Sequence, residues 1–191
     1  ATTKLTSLNV SNHLALVELN VSSNLLETLT LSDNLGMLKT FNVSNNKLVE
    51  IDLSTMGTTT CPPPPVDQEI QPELCPETLT INVSNNQLAS LYINNGINAN
   101  ISSFNATQNP SLGCIQIDAG FTPPTVTSSG WQKDSAASYS EDCHFGETEI
   151  PDLAFEQELI VQGYDLLLDG YVLTSEINNL IDLDVSSKGI S

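Results

Sequence analysis

A nine-residue pattern, L-x-x-L-x-L-x-x-N in its ideal form, recurs through the first 120 residues and leaves few folds open to this chain. It starts, with varying fidelity, at Leu5, Leu16, Leu26, Leu38, Leu48, Thr78, Leu88, Ile101 and Leu112. Successive starts lie 11, 10, 12, 10, 30, 10, 13 and 11 residues apart, and the interval of 30 carries an insertion. The copies lack a sustained helical period; apolar and β-branched residues followed by Ser and Asn make each one a short strand and a turn. Residues at positions one, four and six point inward and stack with their counterparts, as in Leu16, Leu19 and Val21 beside Leu38, Phe41 and Val43. No single coil can bury its apolar side alone, so stability has to come from stacking.

At position nine stand Asn24, Asn34, Asn46, Asn86 and Asn109. Their short amides are expected to satisfy backbone groups of the turns inside the solenoid, a structural role. His13, Met56, Gly96 and Gly120 depart from that rule. Alternate copies fall into two classes. One carries Asn at position five, namely Asn20, Asn42, Asn82 and Asn105, and predicts a uniform face on which amides bond between strands. The other carries Asn9, Thr30, Asp52, Tyr92 and Gln116 there, and predicts a varied face. Variation is what selective binding needs, so Thr28, Thr30, Glu50, Asp52, Ser90 and Tyr92 are the candidate ligand-binding residues.

Stretches such as LVELNVSSN (16–24), LETLTLSDN (26–34), LKTFNVSNN (38–46) and TLTINVSNN (78–86) resemble the nested leucine-rich repeats of 21 to 23 residues found in secreted surface proteins of Bacteroidota-type bacteria. The resemblance implies a flattened solenoid with short strands on two faces, an α/β repeat class in the broad sense but mostly β. NPSLGCIQID, Trp131, Lys133-Asp134 and YSEDC resemble the carboxy-terminal cap of such arrays, and Trp131 is expected to cover the apolar end. Asp134-Ser135-Ala136 resembles the O-glycosylation motif of that bacterial group, which makes Ser135 a candidate site. From Glu147 the chain reads as a short amphipathic helix with Asp152 at its start. The stretch that follows, to Ser191, is similar to the helical amino-terminal cap and first strand of internalin-like repeat domains. The expected organisation is a solenoid over 1–120 with an insertion at 57–77, a disulfide-closed cap over 121–146, and a helical cap opening a second array over 147–191. A chain so arranged reads as a window on a longer tandem protein.

Four cysteines, Cys61, Cys75, Cys114 and Cys143, suggest two disulfides and an oxidising compartment. Three pairings are open. Cys61 with Cys75 and Cys114 with Cys143 is preferred, because the first pair brackets the insertion and the second brackets one non-repetitive segment. Four consecutive prolines inside the insertion predict a stiff, projecting segment. The formal charge of -18, with 23 acids against five bases, excludes nucleic acid as a partner. The two histidines, His13 and His144, lie at opposite ends of the array, and no zinc-type cluster or phosphate-binding glycine loop is visible. No enzyme activity is therefore expected. Asp165 and Asp169 lack the alternating ligands and glycine of a calcium loop, so no cofactor is expected and calcium stays the one ion to weigh. Together these readings point to an extracellular or cell-surface module with no direct membrane insertion, which binds a protein or glycan. The alternative is a stalk or filament segment that packs on copies of itself.

Overall fold

A computed structural model describes residues 3–33, 35–56, 78–124, 130–186 and 188–190. The insertion at 57–77, the Cys61–Cys75 pair and Asn34 lie outside these residues. The chain divides into two compact units, Ala1–Cys143 and His144–Ser191. No helix among the described residues is long and apolar enough to cross a membrane.

The first unit is a β-solenoid of about four turns. Its strands are β1 (Ser7–Asn9), β2 (Glu18–Asn20), β3 (Thr28–Thr30), β4 (Thr40–Asn42), β5 (Glu50–Asp52), β6 (Leu79–Asn82), β7 (Ser90–Tyr92), β8 (Ile101–Ala106), β9 (Cys114–Gln116), β10 (Trp131–Lys133) and β11 (Ser138–Ser140). Even-numbered strands form one parallel sheet in the order β10-β8-β6-β4-β2. On the other side run a four-stranded sheet, β11-β9-β7-β5, and a separate pair, β1-β3. Consecutive strands thus fall on opposite sides, which is why the nine-residue copies alternate in class.

Position four supplies the rungs between the sheets. Leu19, Phe41, Ile81, Phe104 and Trp131 align in register across the five-stranded sheet, and all five are buried. Trp131 is therefore the last rung of the ladder, packed on Phe104 at a ring distance of 4.9 Å, with Phe121 at 5.2 Å and Tyr139 at 5.7 Å around it. Its indole Nε1 donates to the carbonyl of Ile101 at 3.2 Å. Tyr139, opposite Ile115, ends the other side in the same manner. Large aromatic rungs suit a terminal coil, since they cover the apolar spine where no further coil follows. The Asp134 carboxylate closes the turn by accepting the amides of Gln108 at 3.0 Å and Asn109 at 2.8 Å. A disulfide joins Cys114 to Cys143 and ties the end of the unit back to β9.

Polar bonding between coils comes from position nine. The Asn86 Nδ2 group is shared among the carbonyls of Val83 (3.1 Å) and Ser84 (3.3 Å) in its own turn and Val43 (3.1 Å) in the preceding coil. Its Oδ1 accepts the Leu48 amide at 3.1 Å. Asn46 repeats this with Val43, Ser44, Val21 and the Leu26 amide, and Asn109 with Ala106, Thr107, Val83 and the Leu88 amide. Asn24 bonds Val21 and Ser22 and accepts from the Leu5 amide.

The position-five asparagines behave otherwise than the sequence suggests. Asn20, Asn42, Asn82 and Asn105 do not bond from strand to strand through their side-chain oxygens. Each Oδ1 accepts the amide and hydroxyl of the Ser or Thr two residues on, at 2.7 to 3.3 Å. A local partner is always within reach of such a short side chain, so it wins over the neighbouring strand. Amide bonding between coils occurs instead at position eight, where Asn85 Nδ2 donates to Asn45 Oδ1 at 2.6 Å. Position eight is also where the turn needs a left-handed backbone, with φ of 60° at Ser23, 58° at Asn45, 54° at Asn85 and 62° at Gln108.

The second unit pairs β12 (Glu147–Glu149) antiparallel with β13 (Tyr171–Leu173) and adds helices α1 (Leu153–Val161) and α2 (Thr174–Ile177). Asp152 caps α1, its side chain accepting the amides of Ala154 and Phe155 at 2.9 Å. The amphipathic expectation for α1 is corrected, because Leu153 and Val161 are exposed whereas Glu156 and Glu158 are buried. Glu156 is inside because its Oε1 accepts the amides of Asp169 and Gly170 at 2.6 and 2.5 Å, holding the loop before β13. Glu158 pairs with Lys188 at 2.8 Å, and that bond lowers its pKa. The small core here is Ile150, Leu159 and Val172.

Two stability predictions follow from these bonds. Asn86→Ala orphans buried groups on two coils and should cost about 3 kcal/mol in urea denaturation, against about 1 kcal/mol for Asn42→Ala, which loses one local turn. Reducing Cys114–Cys143, a bridge spanning 29 residues, should cost about 3 kcal/mol by the chain-entropy argument, read as a lower unfolding midpoint with reductant.

Candidate recognition face

Strands β5 and β7 lie side by side in parallel register, with Glu50 opposite Ser90 and Asp52 opposite Tyr92. Ser90 and Tyr92 are half-buried, while Glu50 and Asp52 are exposed. Four of the six residues selected from the sequence thus form one patch, which Gln116 extends from β9 beside Tyr92. Thr28 and Thr30 are not in that sheet. They pair with Ser7 and Asn9 of β1, and among the described residues no strand pairing joins β3 to β5.

The two edges instead flank a cleft of about 280 Å³ lined by Thr30, Asp33, Glu50, Asp52 and Thr55, with Leu29, Leu31 and Ile51 also in its wall. The coils still touch at its start, where the Lys47 amide donates to the Leu26 carbonyl at 2.9 Å and Lys47 Nζ lies 3.5 Å from Glu27. Beyond that point they part. On the uniform side Asn46 reaches back to the Val21 carbonyl of the coil before it; the equivalent residue here is Met56, a buried side chain with no amide to donate. Further along, Asn98 and Asp118 link the coils of β7 and β9, while β5 and β7 pair although Gly96 stands at position nine. Asn98 Nδ2 donates to the Ile93 carbonyl, the Asp118 amide donates to Asn98 Oδ1 at 2.8 Å, and the Asp118 carboxylate accepts the amides of Gly96 and Asn98.

Asp33 and Thr55 were not among the residues selected from sequence, because neither sits at an outward strand position. No sequence signal singles them out, since His13, Gly96 and Gly120 lack the position-nine Asn as Met56 does. Ser135 stands exposed in the turn between β10 and β11, next to the hydrogen-bonded Asp134. Asp165 and Asp169 use their Oδ1 atoms on local backbone amides, those of Leu166 and Tyr171. Among the described residues no group of three or more His, Cys, Asp or Glu is arranged to hold a metal ion.

The acids also set the chemistry of Tyr92. Its phenol pKa is raised, first by burial and then by the charges of Glu50 and Asp52. Tyr92 therefore stays a neutral hydroxyl on an acidic face, able both to donate and to accept. Burial alone pushes Tyr139 up to about 12.

No family model, curated protein or solved structure matches the chain.

Tyrosine titration at 295 nm checks this electrostatic picture. The Tyr92 transition should move down toward the ordinary value in Glu50→Gln/Asp52→Asn, whereas Tyr139 should keep titrating near 12. A phenol whose folded pKa is raised contributes a stability that is complete below its unfolded value of about 10 and is lost as pH rises through the folded one. Alkaline unfolding should therefore set in between pH 10 and 12, the window set by Tyr139.

Proposed function

We propose that this chain is a non-catalytic recognition module of the leucine-rich-repeat type, a part of a secreted bacterial surface protein that binds an extracellular protein or glycan through its varied face. The cleft between β3 and β5 carries the reading. It is the place where a parallel ladder opens, and it combines hydroxyls, carboxylates and unpaired strand edges over an apolar wall of Leu29, Leu31 and Ile51. Ligand sites commonly pair an apolar wall with a few placed polar groups. Tyr92, one strand beyond, adds an aromatic surface of the kind that carries binding energy at interfaces. The Cys114–Cys143 bridge and the strongly acidic surface suit an extracellular setting.

Binding to arrayed glycans and to extracellular proteins should be saturable, and Tyr92→Ala, Asp52→Asn and Thr30→Ala should each weaken it about ten-fold. Asn42→Ala on the opposite sheet should leave it unchanged. Equal binding by all four variants, or no ligand on either array, would remove the reading. The unbroken five-stranded sheet with its asparagine ladder favours a second reading, a rigid spacer in a surface filament. Electron microscopy of native material separates the two, since the spacer requires ordered multimers.

A further inference from the structure

Three consecutive leucines of the second unit, Leu166, Leu167 and Leu168, are 89%, 65% and 53% exposed. Exposing such a run costs solvation free energy, and chains that only need to fold bury it or replace it. Here the loop that presents it is held from three sides. Glu156 Oε1 binds the amides of Asp169 and Gly170, Asp165 Oδ1 accepts the Leu166 amide at 2.7 Å, and Asp169 Oδ1 accepts the Tyr171 amide at 3.0 Å. Gly163 and Gly170, with φ of 83° and 90°, supply the bends at its two ends. The leucines are thus displayed by a preorganised loop.

Beside them lies a cavity of about 450 Å³. Its apolar lining comes from Leu166, Leu167, Leu173, Tyr164 and Tyr171, and its charged lining is acidic throughout: Glu147, Asp165, Asp169 and Glu176. No lysine or arginine is among the lining residues. The one lysine of this unit, Lys188, is paired with Glu158, and His144 lies 2.7 Å from Glu147 Oε2. Asp165 Oδ2 is buried and has no hydrogen-bond partner, so one oxygen of a cavity carboxylate has given up water without a replacement, a cost that a nearby cation offsets. Tyr171 is further fixed by His144, stacked on its ring at 3.6 Å.

From the charge and shape of this cavity we infer that it is a docking site for a basic side chain, a lysine or arginine flanked by aliphatic residues, presented by a partner polypeptide. The aliphatic stem and its neighbours lie against Leu166, Leu167 and Tyr171, and the cationic head enters the field of Asp165 and Glu176. Such a side chain suits a site whose floor is apolar and whose rim is acidic, because stem and head have those same two demands. The site belongs to the second unit and is independent of the varied face of the solenoid.

Two acetylated and amidated five-residue peptides test the inference on the full chain: one has lysine between two leucines, the other glutamine in the same place. In ¹H–¹⁵N spectra the lysine peptide should shift the amides of Tyr164, Leu166, Leu167 and Tyr171 saturably and bind at least about five-fold more tightly than the glutamine peptide. Asp165→Asn should reduce that preference. Glu176→Gln, at an exposed position, should reduce it as well if Asp165→Asn disturbs the loop. Equal binding of the two peptides, no shifts at these amides, or shifts spread evenly over Glu149, Asp182 and Asp184 would each overturn it. In the last case the chain merely attracts cations to its acidic surface.

Discussion

Asn46, Asn86 and Asn109 each hold two coils at once. Every amide is shared among carbonyls of its own turn and of the coil before it, while its oxygen takes an amide from the preceding half-turn. A solenoid this narrow has its turns close to the apolar interior, and the backbone groups there cannot all be reached by water. Strand ladders satisfy the flat sides and leave the corners unpaired. The asparagine is the shortest side chain that offers both donors and an acceptor, so it closes the corner without opening a cavity. Alignment of Leu19, Phe41, Ile81, Phe104 and Trp131 into one stack depends on that closure, because it sets how far each coil sits from the last.

The two sides of the solenoid differ in this residue. One side has its asparagine in each of the coils where it is described, and its sheet runs unbroken from β2 to β10. On the other, Met56 and Gly96 stand in its place; β3 and β5 separate, while β5 and β7 stay paired. Apolar stacking still holds the coils together, through Leu26, Leu48, Ile51 and Leu53. Between β3 and β5, which no strand pairing joins among the described residues, lies a cleft with an acidic wall.

The second unit solves a different problem with the same chemistry. It buries few of its apolar residues, and its core is Ile150, Leu159 and Val172 with some partly buried neighbours. Carboxylates do the organising instead. Asp152 caps a helix, Glu156 pins a loop and Glu158 holds Lys188. Each of the two buried acids has one part of its desolvation repaid: Glu156 Oε1 takes two backbone amides, though its Oε2 has no partner, and Glu158 takes Lys188. Several leucines are thereby left outside, facing water or a partner.

Much of the solenoid was legible in the sequence by itself. The spacing of Leu, Phe and Ile at positions one, four and six announced short strands stacked in two alternating classes, since a period of that kind can bury its apolar residues in no other way. The Cys114–Cys143 bridge belongs to the pairing preferred among the three left open, because it brackets one non-repetitive segment. The candidate face was legible only in part: Glu50, Asp52, Ser90 and Tyr92 meet as expected, but Thr28 and Thr30 stand across a gap. Tertiary structure alone decided that gap, the local bonding of Asn20, Asn42, Asn82 and Asn105, and the burial of Glu156. In each case the outcome rests on which of several partners lies within about 3 Å of a polar group. Residue type and periodicity establish that a group needs a partner, and only the packed coils determine which partner it finds.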